Sequence, residues 1–260
     1  MKSILRYINS LPIRLTIRHY FPLAARLPEL AGINLDSPQA WDLVRKSHPH
    51  FATPDAREAW IASLSEKRDG QDGAVSQRAT DLAHLLRDRH FTSLHSIGVG
   101  SAALEYFTLQ EMPELHLIVS EYNDESVARL TRVFPEGNPK KFDVLQSSWQ
   151  KDSGDQNHLV LIYRLDPHLT DAQWRTVFAQ LRDSQVHNVL FVPHVFLSLR
   201  YLYNERKASW KQWRPGKRAS FAGYIRTRRV FEGYWAGLYE ALPVTLGGKE
   251  GFLLSLPHRG

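Results

Sequence analysis

From residue 93 onward, short apolar runs of strand length alternate with stripes at helical spacing, and few folds accept that alternation. The runs are Leu94–Val99, Leu115–Val119, Leu159–Tyr163 and Val189–Val192. Between the second and third, Val127, Leu130, Thr131 and Phe134 recur at i, i+3, i+4, i+7. Between the third and fourth, Trp174, Val177, Phe178 and Leu181 do the same, led by a capping box at Thr170 and Gln173. A weaker strand fits Phe142–Leu145. Near-continuous apolar strands separated by one-faced helices imply an α/β fold whose parallel sheet is covered on both sides. At the end, Pro243–Leu246 and Phe252–Leu256 flank Gly247-Gly248-Lys249-Glu250-Gly251, the chemistry of an antiparallel hairpin.

Up to about residue 90 the pattern is helical and irregular, with start signals at Ser37-Pro38 and Thr53-Pro54. No strand is needed there, although Ile13, Leu15 and Ile17 alternate with Arg14 and Thr16 over a short stretch. Residues 67–75 read as a link, so 1–75 is expected to be a helical N-terminal extension and 76–260 the main domain. With 43% hydrophobic and 23% charged residues in 260, disorder as the main state is excluded. The absence of cysteine excludes a disulfide scaffold, a zinc ribbon, an iron–sulfur site and a thiol nucleophile. No apolar stretch approaches the roughly 18 residues of a membrane helix, and Lys2, Arg6, Arg14 and Arg18 interrupt the start of the chain. No integral membrane segment and a cytoplasmic location are the expectations.

The sharpest local signal is Leu94-His95-Ser96-Ile97-Gly98-Val99-Gly100-Ser101-Ala102-Ala103. An apolar strand enters a Gly-x-Gly turn and then a helix, so a ligand can approach the backbone and the unpaired N–H groups of the helix N-terminus. Glu121 closes the next strand 23 residues after Gly98, where a carboxylate accepts hydrogen bonds from the hydroxyls of a ribose. Together they predict a ligand containing adenosine. A tight turn without a ligand, and a Glu121 that caps the helix beginning near Asn123, are the plainer alternatives.

Over about residues 80–258 the chain resembles the class I S-adenosylmethionine-dependent methyltransferases. The resemblance rests on the glycine-rich motif at Ser96 to Ala102, the acid at Glu121, Gln146-Ser147 after the third strand, His158 to Asp171 around the fourth strand, and the closing hairpin. It implies a Rossmann-like, mostly parallel seven-stranded sheet and S-adenosyl-L-methionine as cofactor. Gly98, Val99, Gly100, Ser101, Glu121, Tyr122, Gln146, Ser147 and Tyr163 would line its site. Three positions depart from the family pattern: Ser96 stands where an acid is usual, Ala102 in place of the third glycine, and His158 in place of an acid at the start of the fourth strand. The Asn/Asp-Pro-Pro-aromatic tetrapeptide of DNA-base methyltransferases is absent, Asp166-Pro167-His168 standing in its region.

Methyl transfer needs alignment of donor and acceptor and exclusion of water, and orientation supplies roughly 7–11 kcal/mol of the barrier reduction. A base would assist a hydroxyl acceptor, and Tyr163, Asp166, His168 and His194 near the strand ends are the catalytic candidates. His48-Pro49-His50 is too closely spaced for a metal site, so no metal is expected.

Residues 200–229 hold ten basic side chains against the single acid Glu205, which puts +9 there and −3 on the rest of a chain of net charge +6. Tyr201, Tyr203, Trp210, Trp213, Phe221 and Tyr224 are interleaved with them. Such an insert suits a polar or anionic small molecule, a glycan-like acceptor, or RNA. The basic N-terminal stretch with Ile4, Leu5, Ile8 and Leu11 reads as a helix packing on the core or on a second copy of the chain in a homodimer. Methyl transfer to oxygen or nitrogen of a polar small molecule or glycan-like acceptor is the first reading. RNA binding or RNA methylation is the second. A NAD-dependent oxidoreductase, from G-x-G-x-x-A at Gly98–Ala103 and Tyr203-x-x-x-Lys207, and an inactive partner subunit with the same fold complete the set.

Overall fold

The computed structural model describes residues 12–21, 54–69, 75–149, 155–203 and 220–257. Ser37-Pro38, the histidines at 48 and 50, the apolar positions of residues 4–11 and the central part of the basic insert lie outside them. In chain order the main elements are β1 (Thr16–Phe21), α1 (Arg57–Asp69), α2 (Val75–Asp88), β2 (Ser93–Ile97), α3 (Ala103–Glu111), β3 (His116–Glu121) and α4 (Asp124–Val133). They continue with β4 (Lys140–Lys141), β5 (His158–Tyr163), α5 (Asp171–Asp183), β6 (Asn188–Val192), β7 (Ser220–Arg226), α6 (Arg228–Trp235), β8 (Glu240–Leu246) and β9 (Lys249–Ser255). The chain forms two compact units.

The larger unit comprises Thr53–Leu165, Thr176–Pro193 and Gly237–Gly260. It holds a seven-stranded sheet in the order β4-β3-β2-β5-β6-β9-β8. β4, β3, β2, β5 and β6 run parallel, and β9 and β8 are antiparallel. This is the expected α/β sheet with its terminal hairpin. Every residue of β5 but the last is buried, as is every residue of β6 but the first, because helices cover both faces. Strand order turns around at β2, which pairs β3 on one side and β5 on the other. The carboxyl end of β2 is therefore a switch point, where open α/β sheets leave a crevice.

Two helices show how far periodicity carries. Trp174, Val177, Phe178 and Leu181 of α5 are all fully buried, as their spacing predicts. In α4 the stripe is rotated: Ser126, Arg129, Leu130 and Val133 face inward, while Thr131 is exposed and bonds its hydroxyl to the Val127 carbonyl. The helix starts where expected, with the Asn123 side chain accepting from Ser126 N–H at 2.7 Å and Asp124 and Glu125 in the first turn.

The strand expected at Phe142–Leu145 is not formed. Pairing with β3 ends after Lys141 and a last bond from Phe142 N–H to the Glu121 carbonyl. Asp143 then turns the chain away, accepting from Leu145 N–H on its side chain at 2.9 Å and from the Gln146 and Ser147 N–H groups on its carbonyl. An aspartate that folds back on its own backbone competes with a ladder.

The smaller unit comprises Met1–Ala52, Asp166–Arg175 and His194–Ala236. Its β1 pairs antiparallel with β7, Thr16 opposite Arg226. This corrects the expectation that no strand is needed before residue 90. The brief alternation at Ile13–Ile17 is the entrance to a strand whose partner lies about two hundred residues away, so local pattern carried little of it.

β7 places one of the ten basic side chains of 200–229 in the interior, since its last residue, Arg226, is wholly buried. Its guanidinium donates to Asp171 at 2.7 Å and to the carbonyls of Asp166 and Leu169. Thr16 and Tyr234 donate to the same aspartate. Gly223, at φ +113°, lies so close to the Pro167 carbonyl that a Cβ would overlap it. The capping box ahead of α5 forms as predicted, Thr170 N–H to Gln173 at 2.8 Å and the reciprocal bond at 3.3 Å. No helix among the described residues is long and apolar enough to cross a membrane.

Candidate functional site

At the carboxyl end of β2 the chain makes the glycine turn. Gly98 and Gly100 lie at φ +69° and +59°, and Ala102, which precedes α3, lies at +56° in the left-handed region. A Cβ on Gly98 would press to 3.2 Å from a methyl of Leu165, whereas one on Gly100 would meet nothing within 4 Å. The turn is thus packed on one glycine and opens onto free space at the other. Ala102 holds a conformation that costs an L-residue about 1–2 kcal/mol. It is fully buried.

Three elements grip this turn. From β3, Glu121 accepts the Gly100 N–H at 2.5 Å, and its other oxygen is 3.4 Å from Tyr122 N–H. Arg129 of α4 donates to the Gly100 carbonyl at 2.7 Å. Trp60 of α1 donates its indole N–H to the Ser101 carbonyl at 2.9 Å. Glu121 is nearly buried, and the register Ile97↔Ser120 sets its carboxylate beside the turn. The carboxylate proposed from the sequence to meet a ribose thus also holds the turn in shape.

Beneath the turn lies a second carboxyl. Glu105, in the first turn of α3, is completely buried and accepts from the Ser96 hydroxyl at 2.6 Å. Burial pushes it up to about 7, against the pull of the Ser96 hydroxyl and its own backbone N–H; the charge of Glu121 pushes the same way as burial. On β2 the neighbouring His95 is driven down to about 3, first by burial and then by His158, so it is neutral at ordinary pH. Its Nε2 is 3.1 Å from the Ser120 hydroxyl, which donates onward to the Ser96 carbonyl. That chain places the ring proton on Nε2.

Tyr163 ends β5, and its phenol oxygen accepts from Arg78 of α2 at 3.1 Å. Arg78 is buried. Val99 and Ser101 are half-buried in the turn, and Tyr122 is exposed just past β3. Gln146 is exposed; Ser147 is half-buried, its hydroxyl taking the Asp143 N–H at 2.9 Å. In the smaller unit Asp166 is buried and its carboxylate takes the His194 backbone N–H at 2.5 Å. His168 and His194 are half-buried. Trp60, Arg78, Glu105 and Arg129 were not singled out from the sequence. An acid in the first turn of the helix that follows the glycines was the one available signal, and it pointed to Glu105.

A cavity of about 490 Å³ lies at the other end of these strands, lined by Ser93, Glu114, His116 and Asp155 among others. It is remote from the glycine turn, since Ser93 begins β2 and Gly98 follows its end.

Solved structures share this architecture. A candidate O-methyltransferase from Nostoc punctiforme superposes with a TM-score of 0.54 at 12% identity, over 75% of this chain and 59% of that one. CalS10, an amino pentose methyltransferase of Micromonospora echinaspora solved with S-adenosylmethionine bound, gives 0.51 at 14% identity, over 76% and 97%. The fold is that of the class I methyltransferases. TnmH, at a TM-score of 0.55 and 11% identity, is matched over 91% of this chain and 65% of its own length. The chain therefore spans less than two thirds of the length of two of these three solved chains. No protein-family model matches the chain, and no curated protein matches it in sequence. In this fold the glycine turn follows the carboxyl end of β2, Glu121 is the last residue of β3, and the loop at residues 143–149 comes after β4.

Proposed function

We propose that the chain is an S-adenosylmethionine-dependent methyltransferase acting at oxygen or nitrogen of a polar small molecule or glycan-like acceptor. The observation that carries the reading is Gly100: its backbone faces open space while its N–H is held by a buried carboxylate one strand away. That is the donor and acceptor set a nucleoside needs, and the fold supports it. When bound, S-adenosylmethionine supplies an electrophilic methyl group for in-line transfer.

In this reading Gly98 to Ser101 let the ligand approach the backbone, and Glu121 receives the ribose hydroxyls. Tyr122, Gln146 and Ser147 lie toward the base. Arg78, with Tyr163, meets the carboxylate of the amino-acid tail. Tyr163, Asp166, whose carboxylate takes the His194 backbone N–H, His168 and His194 are the candidates for the group that takes a proton from a hydroxyl acceptor. Residues 1–75 and 200–229 are assigned to acceptor contacts, and the amino pentose acceptor of CalS10 is in keeping with a sugar.

Thermal-shift titration tests the assignment. S-adenosylmethionine at a hundredfold its dissociation constant should add about 2.7 kcal/mol; stabilisation by NAD alone would replace the reading with an oxidoreductase. Gly100→Ala separates fold from ligand. The left-handed φ should cost about 1–2 kcal/mol of stability, with no clash against the protein's own atoms, while the new methyl enters the space assigned to the ligand. Affinity should drop more than about tenfold, or 1.4 kcal/mol. Unchanged affinity in calorimetry would move the ligand elsewhere.

A further inference from the structure

Glu105 is a costly residue for its position. An apolar side chain needs no partner in a buried position, whereas a buried carboxyl loses its hydration. One hydroxyl contact, Ser96 at 2.6 Å, is a modest return. The carboxyl sits on the side chain of Ser96, two residues before Gly98, and near enough to Glu121, which holds the Gly100 N–H, for the two charges to oppose each other. Fields from a charge in such low-polarity surroundings reach much farther than in water.

We propose that Glu105 is the counter-charge by which this site distinguishes a positively charged nucleoside ligand from its neutral counterpart. The inference rests on the S-adenosylmethionine reading above. The methyl donor carries a sulfonium cation; the demethylated product, S-adenosylhomocysteine, is a neutral sulfide with the same adenosine and amino-acid groups. A buried carboxylate beneath the turn attracts the first more than the second, so it favours loading of donor and departure of product.

The charged groups on the elements around it are Glu121 on β3, Arg129 on α4 and Arg78 on α2. Glu121 opposes ionisation of Glu105. In the free protein the carboxyl is largely protonated below neutrality. Arrival of a cation favours the carboxylate, and the proton passes to solvent; the carboxyl O–H bond is the one bond broken in that step. A cation lowers the carboxyl's pKa, so affinity rises with pH up to about 7 and levels off above it.

Titration calorimetry of the full chain with each nucleoside, at pH 6 and pH 8 in two buffers of different protonation enthalpy, reads both quantities. S-adenosylmethionine should bind about tenfold tighter at pH 8 and release close to one proton at pH 6. S-adenosylhomocysteine should show a clearly smaller slope. Glu105→Gln, which keeps the bond to Ser96, should flatten the donor's pH profile and shrink its preference over the product. Parallel profiles for the two nucleosides in the unaltered protein, or an unchanged slope in Glu105→Gln, would overturn the role of Glu105 and leave the cofactor reading standing. If the unaltered protein binds neither nucleoside, the cofactor reading itself fails and takes this inference with it.

Discussion

Arg226→Met should destabilise the smaller unit by up to about 3–5 kcal/mol, the upper figure being that for one member of a fully buried ion pair, because Arg226 is wholly buried while the Asp171 side chain is a third exposed. Methionine replaces the aliphatic stem but none of the donors. The Leu169 carbonyl loses the guanidinium donor, the Asp166 carbonyl keeps only the longer bond from the Trp174 indole N–H, and the Asp171 carboxylate keeps Thr16 and Tyr234 but no longer the cation. Urea denaturation should show a lower midpoint with a similar slope. A loss below about 1 kcal/mol would mean that water reaches these groups without Arg226, as it does at surface pairs.

The same network predicts a pH dependence. Burial alone would raise the Asp171 carboxyl, but the hydrogen bonds of Arg226, Tyr234 and Thr16, with the arginine's charge, hold it below the usual carboxylate range. Its folded pKa is depressed, so its contribution is present above the unfolded value of about 3.9. The contribution is lost as pH falls through the lower folded value. The stability gap between the unaltered protein and Arg226→Met should be constant near neutrality and close in the acid region; a gap that closes already above pH 5 would contradict the assignment.

Glu121→Ala is expected to weaken S-adenosylmethionine binding by about 1.5–3 kcal/mol, roughly ten- to 150-fold, the value of hydrogen bonds to a charged acceptor. Part of that effect comes from the turn itself, because Glu121 also holds the Gly100 N–H. Glu121→Gln separates the two contributions. Its amide oxygen can still accept from Gly100, so the turn and the stability should survive, while the charge offered to ribose hydroxyls is gone. Affinity of Glu121→Gln between that of the unaltered protein and Glu121→Ala is the expected order. Equal binding by all three would confine Glu121 to holding the turn.

Read in one dimension, the chain already declares its sheet. β2, β3, β5 and β6, the stripe of α5, the capping box at Thr170 and the terminal hairpin follow from patterns that close within ten or so residues, because the pleat, the helical turn and the cap are local geometries. The positions of Gly98, Gly100 and Glu121 are legible for the same reason: they depend on φ and on the end of a strand. Asp143 defeated the strand reading at Phe142–Leu145 by bonding its own backbone, a choice that propensity ranks poorly. Only tertiary structure paired Thr16–Phe21 with β7, made Arg226 a buried anchor, brought Trp60 and Arg129 to the glycine turn, and set Glu105 against Ser96 and Arg78 against Tyr163. Those outcomes depend on which distant groups share a low-dielectric space, where a charge must find a partner, and spacing along a chain carries no measure of that.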